Sequence, residues 1–395
     1  MTTAILALSI LAGGPPLTKP VEHPFRVTDS AMIVDAVLNG KPTTYMFDTG
    51  FSGVIVMDAP IDIGKPDGTM TLRDFVGSFQ AETVSVKSLQ LGPLNVDPTG
   101  MTVVKQPSGR MSESYNTHCD GIMGLEVISR YVTEINFEKR KFIFYPDSYD
   151  ISKRTPDNQK TFLAKMLPKG GNSMELEVKT KDGQSMYLAL DTGNGFYATT
   201  HKDVLERVGI WKPGQEVEFM TQAMVASGAV ESFYMLMPEV NIYGVPVKSS
   251  VWSIIDLPSS DAAHDGTVGF GFLKNFNITF DMKRRRVWLE RWTDKVENEP
   301  VAEIGIGAFY DQRSDRTIIY DVSPKSPAEK AGIKPGDLLL GVDGEEPREL
   351  SFRALNKLFE GEKGSKVKLV TSRNGQILRY EVERAYLING LPKND

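Results

Sequence analysis

Two stretches of this chain repeat one another, and no other feature restricts its fold as much. Each contains an apolar run closed by Asp-Thr-Gly, at Asp48-Thr49-Gly50 and at Asp191-Thr192-Gly193, and each continues to an Asp-Gly-x-x-Gly run. Asp48 precedes Asp120 by 72 residues, and Asp191 precedes Asp265 by 74. From there the copies align without a gap, Asp120-Gly121-Ile122-Met123-Gly124 through Lys141 against Asp265-Gly266-Thr267-Val268-Gly269 through Arg286. Average residue usage gives roughly 0.1 Asp-Thr-Gly triplets by chance at this length, so two in register mark an internal duplication. The copies run from about Phe25 to Pro146 and from about Phe162 to Trp292.

Each copy reads as mainly β. Ala31 to Leu38 and Thr43 to Phe47 are strand-like, with Asn39-Gly40 between them as a hairpin signal. The second copy repeats this with Met174 to Lys179, a turn at Asp182-Gly183, and Ser185 to Leu190. Both triplets therefore sit where a strand runs out into a loop, the place from which a side chain projects into a cleft. Strands Phe142 to Tyr145 and Val287 to Glu290 close the copies. Each is entered by a charged turn, Glu138 to Lys141 or Lys283 to Arg286, whose basic residues read as a solvated hairpin and not as a nucleic-acid patch.

The chain has 395 residues, more than one core normally supports, and favours two to three domains. Forty-five basic against 51 acidic residues leave a net charge of −6, which offers no polyanion-binding surface. The single cysteine, Cys119, rules out an internal disulfide framework. His23, His118, His201 and His264 lack metal-ligand spacing, so neither a metal nor a cofactor is expected. The run Ala4 to Ala12 has the length of a signal-peptide core and is too short to span a bilayer. Export to the periplasm or the exterior is expected, although no Lys or Arg precedes the run, and no later segment is long and apolar enough to cross a membrane as a helix.

Two carboxyls held close cannot both ionise easily, so a pair of aspartates shares a proton and its apparent pKa values split. One member then serves as base and the other as acid. Thr offers a short hydroxyl for bonding across the interface between copies, and Gly allows close approach and presents an N–H to the carboxylate. These motifs resemble the aspartic proteases over roughly Phe25 to Trp292, with lobe lengths closer to tandem retropepsin-like domains than to animal pepsins. The resemblance implies two duplicated acid-protease-like β lobes forming a bilobal cleft. It makes Asp48 and Asp191 the catalytic dyad, with Thr49, Gly50, Thr192 and Gly193 supporting it. It implies an aspartic-type endopeptidase that activates water and binds extended polypeptide between the lobes, acting as a monomer without pepsin-like zymogen activation. Flap hairpins are expected at Asp74 to Gln80 and Ala226 to Ser232, located by order in the repeat. Phe51 and Asn194 stand where the family usually has Ala or Ser, and polar Thr267 stands where it has an apolar residue. Those departures motivate the alternative, a non-catalytic peptide-binding adaptor on a degenerate protease scaffold.

The remainder, about Val301 to Arg384, resembles a bacterial-type PDZ domain, a small α+β module. Ser326-Pro327-Ala328-Glu329-Lys330-Ala331-Gly332-Ile333-Lys334-Pro335-Gly336-Asp337, followed by Val342-Asp343-Gly344, carries the resemblance. It implies a carboxylate-binding loop at Gly305, Ile306 and Gly307, taking a peptide or protein C-terminus. A helix from Ser351 to Phe359 is expected independently, with Ser351 as N-cap and Phe352, Leu355, Leu358 and Phe359 on one face. The expected organisation is an N-terminal signal or disordered segment (1–22), a first lobe (23–147), a linker (148–160), a second lobe (161–293), a linker (294–300), the PDZ domain (301–386) and a tail (387–395). His118-Cys119-Asp120 is read as structural, since neighbours in an extended segment face opposite ways. Asp120 and Asp265 are read as turn formers.

Overall fold

The computed structural model describes residues 16–73, 78–106, 112, 115, 117–168, 174–225, 228–262 and 264–391. The apolar run at 4–12 lies outside them. The described part is mainly β, and the duplication seen in the sequence extends to the connectivity of its sheets. In the first sheet the strand path runs Gly68–Arg73, Ser78–Ser85, Thr102–Lys105, Ile55–Met57, Gly121–Gly124, Lys41–Asp48, Met32–Leu38, Leu89–Leu91, Leu94–Val96. In the second it runs Thr221–Val225, Gly228–Met237, Ser250–Ile255, Ala198–His201, Gly266–Val268, Ser185–Leu190, Glu175–Thr180, Val240–Ile242, Val245–Val247. The two paths visit their strands in the same order, including every crossover.

The hairpin before the first triplet is formed by pairing Leu38 with Lys41, and Asn39 and Gly40 take the positive φ values (48° and 78°) that a two-residue turn needs. The Asp-Gly-x-x-Gly glycines have a packing reason in both copies. A Cβ on Gly121 would lie 2.1 Å from the Val56 carbonyl oxygen, and one on Gly266 would lie 2.2 Å from that of Thr199. Gly124 and Gly269 are pressed equally hard, against the Gly53 and Phe196 carbonyl oxygens. Only glycine lets the strand behind each triplet come so near its neighbour. The aspartates opening these runs brace the triplet strands: Asp120 Oδ2 accepts the Thr44 N–H and Asp265 Oδ2 accepts the Tyr187 N–H, both at 2.8 Å. Thr44 and Tyr187 each stand four residues before a triplet aspartate.

A six-stranded sheet joins the copies, in the order Val21–Pro24, Lys141–Tyr145, Val132–Asn136, Phe276–Asp281, Arg286–Arg291, Thr161–Lys165. Each copy supplies three strands, arranged symmetrically about the antiparallel seam where Ile135 meets Ile278. One apolar core runs through both copies, with Phe47, Phe142, Phe272 and Phe276 fully buried in it.

The third domain has its own core, built on Ile304, Ile319, Leu355 and Val367. Its five-stranded antiparallel sheet begins at the edge strand Ile306–Asp311 and carries two short helices. Helix Pro327–Ala331 is capped by Ser326, whose hydroxyl accepts the Glu329 N–H, and is ended by Gly332 at φ 87°. Helix Phe352–Lys357 is capped by Ser351 as expected but stops at Lys357, short of Phe359.

The expected tail does not behave as one. Ile388–Asn389 forms a strand parallel to Tyr234 and Met235 of the second copy, and Leu387, Ile388 and Asn389 are all buried. Where the third domain meets the second copy, Glu303 is pushed up to about 7, first by burial and then by the negative charges of Glu360 and Asp321, with Arg353 opposing. A carboxyl raised in the folded state stabilises it while protonated, and that contribution is lost as pH climbs from the ordinary glutamate value through about 7. Glu303→Gln should therefore raise the melting temperature relative to wild type above pH 7 and leave it nearly unchanged below pH ~4, as thermal melts across that range will show.

Candidate active site

The two triplets meet at the seam between the copies. Thr49 N–H donates to the Thr192 hydroxyl (3.1 Å) and Thr192 N–H donates to the Thr49 hydroxyl (3.0 Å). Each hydroxyl in turn donates across the seam, Thr49 to the Leu190 carbonyl (2.7 Å) and Thr192 to the Phe47 carbonyl (2.9 Å). Both side chains are buried, so these four bonds leave no threonine hydroxyl wasted in an apolar setting. The grip holds the ends of strands Lys41–Asp48 and Ser185–Leu190 side by side, with their aspartates adjacent.

Asp48 and Asp191 stand next to each other, each carboxyl acting on the titration of the other. Asp48 Oδ1 also accepts the N–H of Gly50 (2.7 Å) and Phe51 (3.1 Å), and Asp191 Oδ1 those of Gly193 (2.9 Å) and Asn194 (3.0 Å). Each triplet glycine lies against the aspartate of the other copy. A Cβ on Gly50 would sit 2.5 Å from Asp191 Cγ, and one on Gly193 would sit 2.4 Å from Asp48 Cγ. Asp191 is buried, Asp48 is half-buried and Gly50 is exposed, so solvent reaches the pair from one side.

Both carboxyls are raised from the ordinary aspartate range, chiefly by burial. Asp191 lies the higher because the negative charge of Asp48 adds to it. The two titrate as one system, in which the first proton leaves a site rich in N–H donors and the last is held well above the usual range. A pair in this state can take a proton from one group while giving its own to another.

The departures flagged in the sequence are accommodated differently in the two copies. The Phe51 ring packs over Gly53 and Gly124, where a Cβ would lie 2.5 Å from ring carbons. Asn194 turns its amide away from the pair and donates to the hydroxyls of Thr267 (2.7 Å) and Thr199 (3.0 Å), while its Oδ1 accepts the Phe196 N–H (3.0 Å). Polar Thr267 and polar Asn194 are thus partners, a pairing that no local pattern in the sequence announces.

Tyr115 is another neighbour the sequence did not signal. Its phenol is raised by burial first and then by the charges of Cys119, Asp48 and Asp191, which puts it within electrostatic reach of the pair. Cys119 itself is buried, donates to the Gly121 carbonyl, and is pushed up to about 11 by burial, so it is an unreactive core thiol. Hairpins stand at both positions expected for flaps, Gly68–Arg73 with Ser78–Ser85 and Thr221–Val225 with Gly228–Met237. Residues 74–77 and 226–227 at their tips lie outside the described residues. In the third domain, Gly305 has φ 81° and a Cβ there would collide with Ser326 and Leu387, while Gly307 lies against the Tyr320 ring.

Residues 318–373 match the family of PDZ domains, so the third domain contains a PDZ domain. Among curated proteins the chain is similar to the carboxy-terminal processing protease CtpA of Bacillus subtilis, 39% identical over 71 residues, which is 18% of this chain and 15% of the relative. It is also similar to a probable CtpA-like serine protease of Staphylococcus saprophyticus, 35% identical over 92 residues, covering 23% of this chain and 19% of the relative. The chain therefore spans less than a fifth of the length of these two relatives. Among solved structures it is similar to a photosystem II D1 C-terminal processing protease, with TM-score 0.21, 29% identity and coverage of 22% of this chain and 23% of that one. It is also similar to an aspartic proteinase from Irpex lacteus, with TM-score 0.44, 14% identity and coverage of 71% of this chain and 100% of that one.

These relatives correct the functional expectation. They are carboxy-terminal processing proteases, one of them named a serine protease, so the aspartic-type endopeptidase is not supported, nor is the alternative of a non-catalytic adaptor on a degenerate protease scaffold. The physical reason is that two strand-to-loop turns fix where a pair of carboxyls lies without fixing the class of reaction performed there. The match to the PDZ family, at 318–373, does not reach either triplet.

Two outcomes test the site's physics. A carboxyl raised in the folded state contributes stability that is lost as pH rises from about 3.8 through its folded value. Asp191→Asn should gain on wild type in melting temperature over that interval and show little advantage below it. Thr267→Val leaves an Asn194 amide N–H without its acceptor and should cost about 1–3 kcal/mol, read by urea denaturation.

Proposed function

We propose that the protein is a polypeptide hydrolase working in proteolysis, with the PDZ domain engaging polypeptide and with Asp48 and Asp191 among its site residues. The observation that carries this reading is the PDZ segment at 318–373, together with similarity to processing proteases. The adjacent, raised carboxyls on a solvent-reached seam support placing Asp48 and Asp191 in the site. In this reading the two equivalent sheets are lobes of the acid-protease kind. Polypeptide lies in the cleft between them, and Thr49, Gly50, Thr192 and Gly193 hold the pair in place.

Gly305, Ile306 and Gly307 form the loop that takes a peptide or protein carboxylate. Strand Ile306–Asp311 is an edge of its sheet, which suits addition of an extended peptide. Export is part of the proposal and rests on the apolar run Ala4 to Ala12. Among the described residues no helix is long and apolar enough to cross a membrane.

The test is cleavage of an unfolded protein by the purified chain and by its Asp48→Asn and Asp191→Asn forms, with each form also exposed to a serine-reactive fluorophosphonate. The expected result is cleavage by wild type and a loss of at least about 100-fold in either variant, with labelling reporting whether a serine carries the reaction. Cleavage that survives both substitutions would remove Asp48 and Asp191 from the site. Absence of cleavage by wild type from acidic to neutral pH would remove the hydrolase.

A further inference from the structure

The segments that lead into and out of the third domain are both pinned to the second copy, and in both cases by an asparagine amide. On the way in, Asn298 pairs with one residue as a strand would: Val251 N–H donates to Asn298 Oδ1 (2.9 Å) and Asn298 Nδ2 donates to the Val251 carbonyl (3.0 Å). On the way out, Asn389 Oδ1 accepts the Glu218 N–H (2.7 Å), while its Nδ2 donates to the Phe219 and Tyr234 carbonyls (3.1 Å each). Asn389 is 4% exposed, and Ile388–Asn389 pairs with Tyr234 and Met235 in parallel.

The two clasps grip neighbouring strands. Val251 lies in Ser250–Ile255 and Tyr234 in Gly228–Met237, which pair antiparallel with Leu236 opposite Val251. A third contact, from the Thr221 hydroxyl to Asp321 (3.5 Å), joins the other arm of the hairpin to the PDZ sheet.

We propose that Asn298 and Asn389 lock the PDZ domain onto the second copy in one orientation, and that Asn389 is a positioning residue for the hairpin formed by Thr221–Val225 and Gly228–Met237. Contacts run from this clasp in both directions. Towards the candidate site, the Tyr234 ring meets the Phe196 ring at 6.0 Å, Phe196 N–H donates to Asn194, and Asn194 N–H donates to Asp191. Towards the PDZ loop, Leu387 lies against Gly305, so close that a Cβ there would be 2.7 Å from a Leu387 methyl. Glu303 and Ala385 exchange two backbone hydrogen bonds beside it (2.9 Å each). A carboxylate entering at Gly305 to Gly307 therefore meets the base of the strap that holds the hairpin. The first copy's hairpin, Gly68–Arg73 with Ser78–Ser85, belongs to a sheet that, among the described residues, gains no strand from the segment following the third domain, which provides an internal control.

The experiment is hydrogen exchange with mass-spectrometric readout on the full chain, comparing wild type with Asn389→Ala, Asn298→Ala and the double variant. Removing the Asn389 amide strips partners from two N–H groups and two carbonyls of the second copy. Exchange in 219–223 and 233–236 should accelerate about tenfold or more, with 68–73 and 78–85 unchanged. Asn298→Ala should affect 250–253, and the double variant should show a larger radius of gyration in solution scattering as the PDZ domain swings free. Unchanged exchange in 219–236, or acceleration shared equally by 68–85, would overturn the proposal. A last readout rests on the reading of the Asp48–Asp191 pair as the working site: Asn389→Ala should lower kcat severalfold with KM held within about twofold. An unchanged kcat in a cleaving enzyme would overturn the positioning role. If the wild type does not cleave, hydrogen exchange still decides the strap.

Discussion

The reciprocal grip of Thr49 and Thr192 is the interaction on which the remaining organisation depends. It asks each copy to deliver a backbone N–H, a hydroxyl and a carbonyl to the same buried spot. A single threonine turn of this kind would bury polar groups without partners, at a cost of about 1–3 kcal/mol each. Two turns related by an approximate two-fold satisfy one another completely. The six-stranded sheet supplies that symmetry, because its seam at Ile135 and Ile278 fixes the axis about which the copies face each other. With the axis fixed, the adjacency of Asp48 and Asp191 follows from geometry, and so does the strain of placing two carboxyls together. Burial at that seam raises both carboxyls, and the negative charge of Asp48 raises Asp191 further.

Equivalence of the copies does not mean identity. Both use glycine to admit a strand at van der Waals limits, and both use an aspartate to brace the triplet strand through a backbone N–H four residues upstream. They differ immediately after the triplet, where one copy fills the space with an aromatic ring over two glycines and the other with a hydrogen-bonded amide and two hydroxyls. Either solution leaves the backbone N–H groups aimed at the aspartate, at 3.1 Å and 3.0 Å. The constraint is on the backbone, and the side chain at that position is free to satisfy it by packing or by hydrogen bonding. Asp191 is the more buried member and is raised the further, by burial and by the negative charge of Asp48.

Much of this was legible in the sequence because it is written in local signals. Apolar runs closed by Asp-Thr-Gly, the Asn39-Gly40 turn, the glycines at 121, 124, 266 and 269, and the Ser326 and Ser351 caps each act within a few residues of themselves. Repetition then supplied the one long-range relation that a sequence can show without an alignment. Other features are long-range and occur once. The partnership of Asn194 with Thr267 spans 73 residues, and nothing near either residue predicts it. The strand at Ile388–Asn389 is two residues long, which is below what periodicity can detect, and its partner lies 154 residues earlier. The functional class was not legible from the triplets. The geometry of an acid pair is compatible with more than one reaction, and the sequence relatives are proteases named for carboxy-terminal processing.

The manner of attachment of the PDZ domain bears on what such a module does here. A domain joined only by a flexible linker would raise the local concentration of its ligand without orienting it. This one is held at its entry by Asn298, at its exit by Asn389 and at its flank by Asp321, all on the second copy. Towards the first copy it makes a long ion pair, Lys357 to Asp29 at 3.8 Å, half-exposed on both sides and therefore worth little. The asymmetry matters because the third domain is fixed to one copy, whose sheet the strand Ile388–Asn389 extends. In the proposed reading, a polypeptide added at the edge strand Ile306–Asp311 is presented from a direction fixed by the second copy. Orientation is thus set by the second copy, through strands whose contacts run on by Tyr234, Phe196 and Asn194 to Asp191.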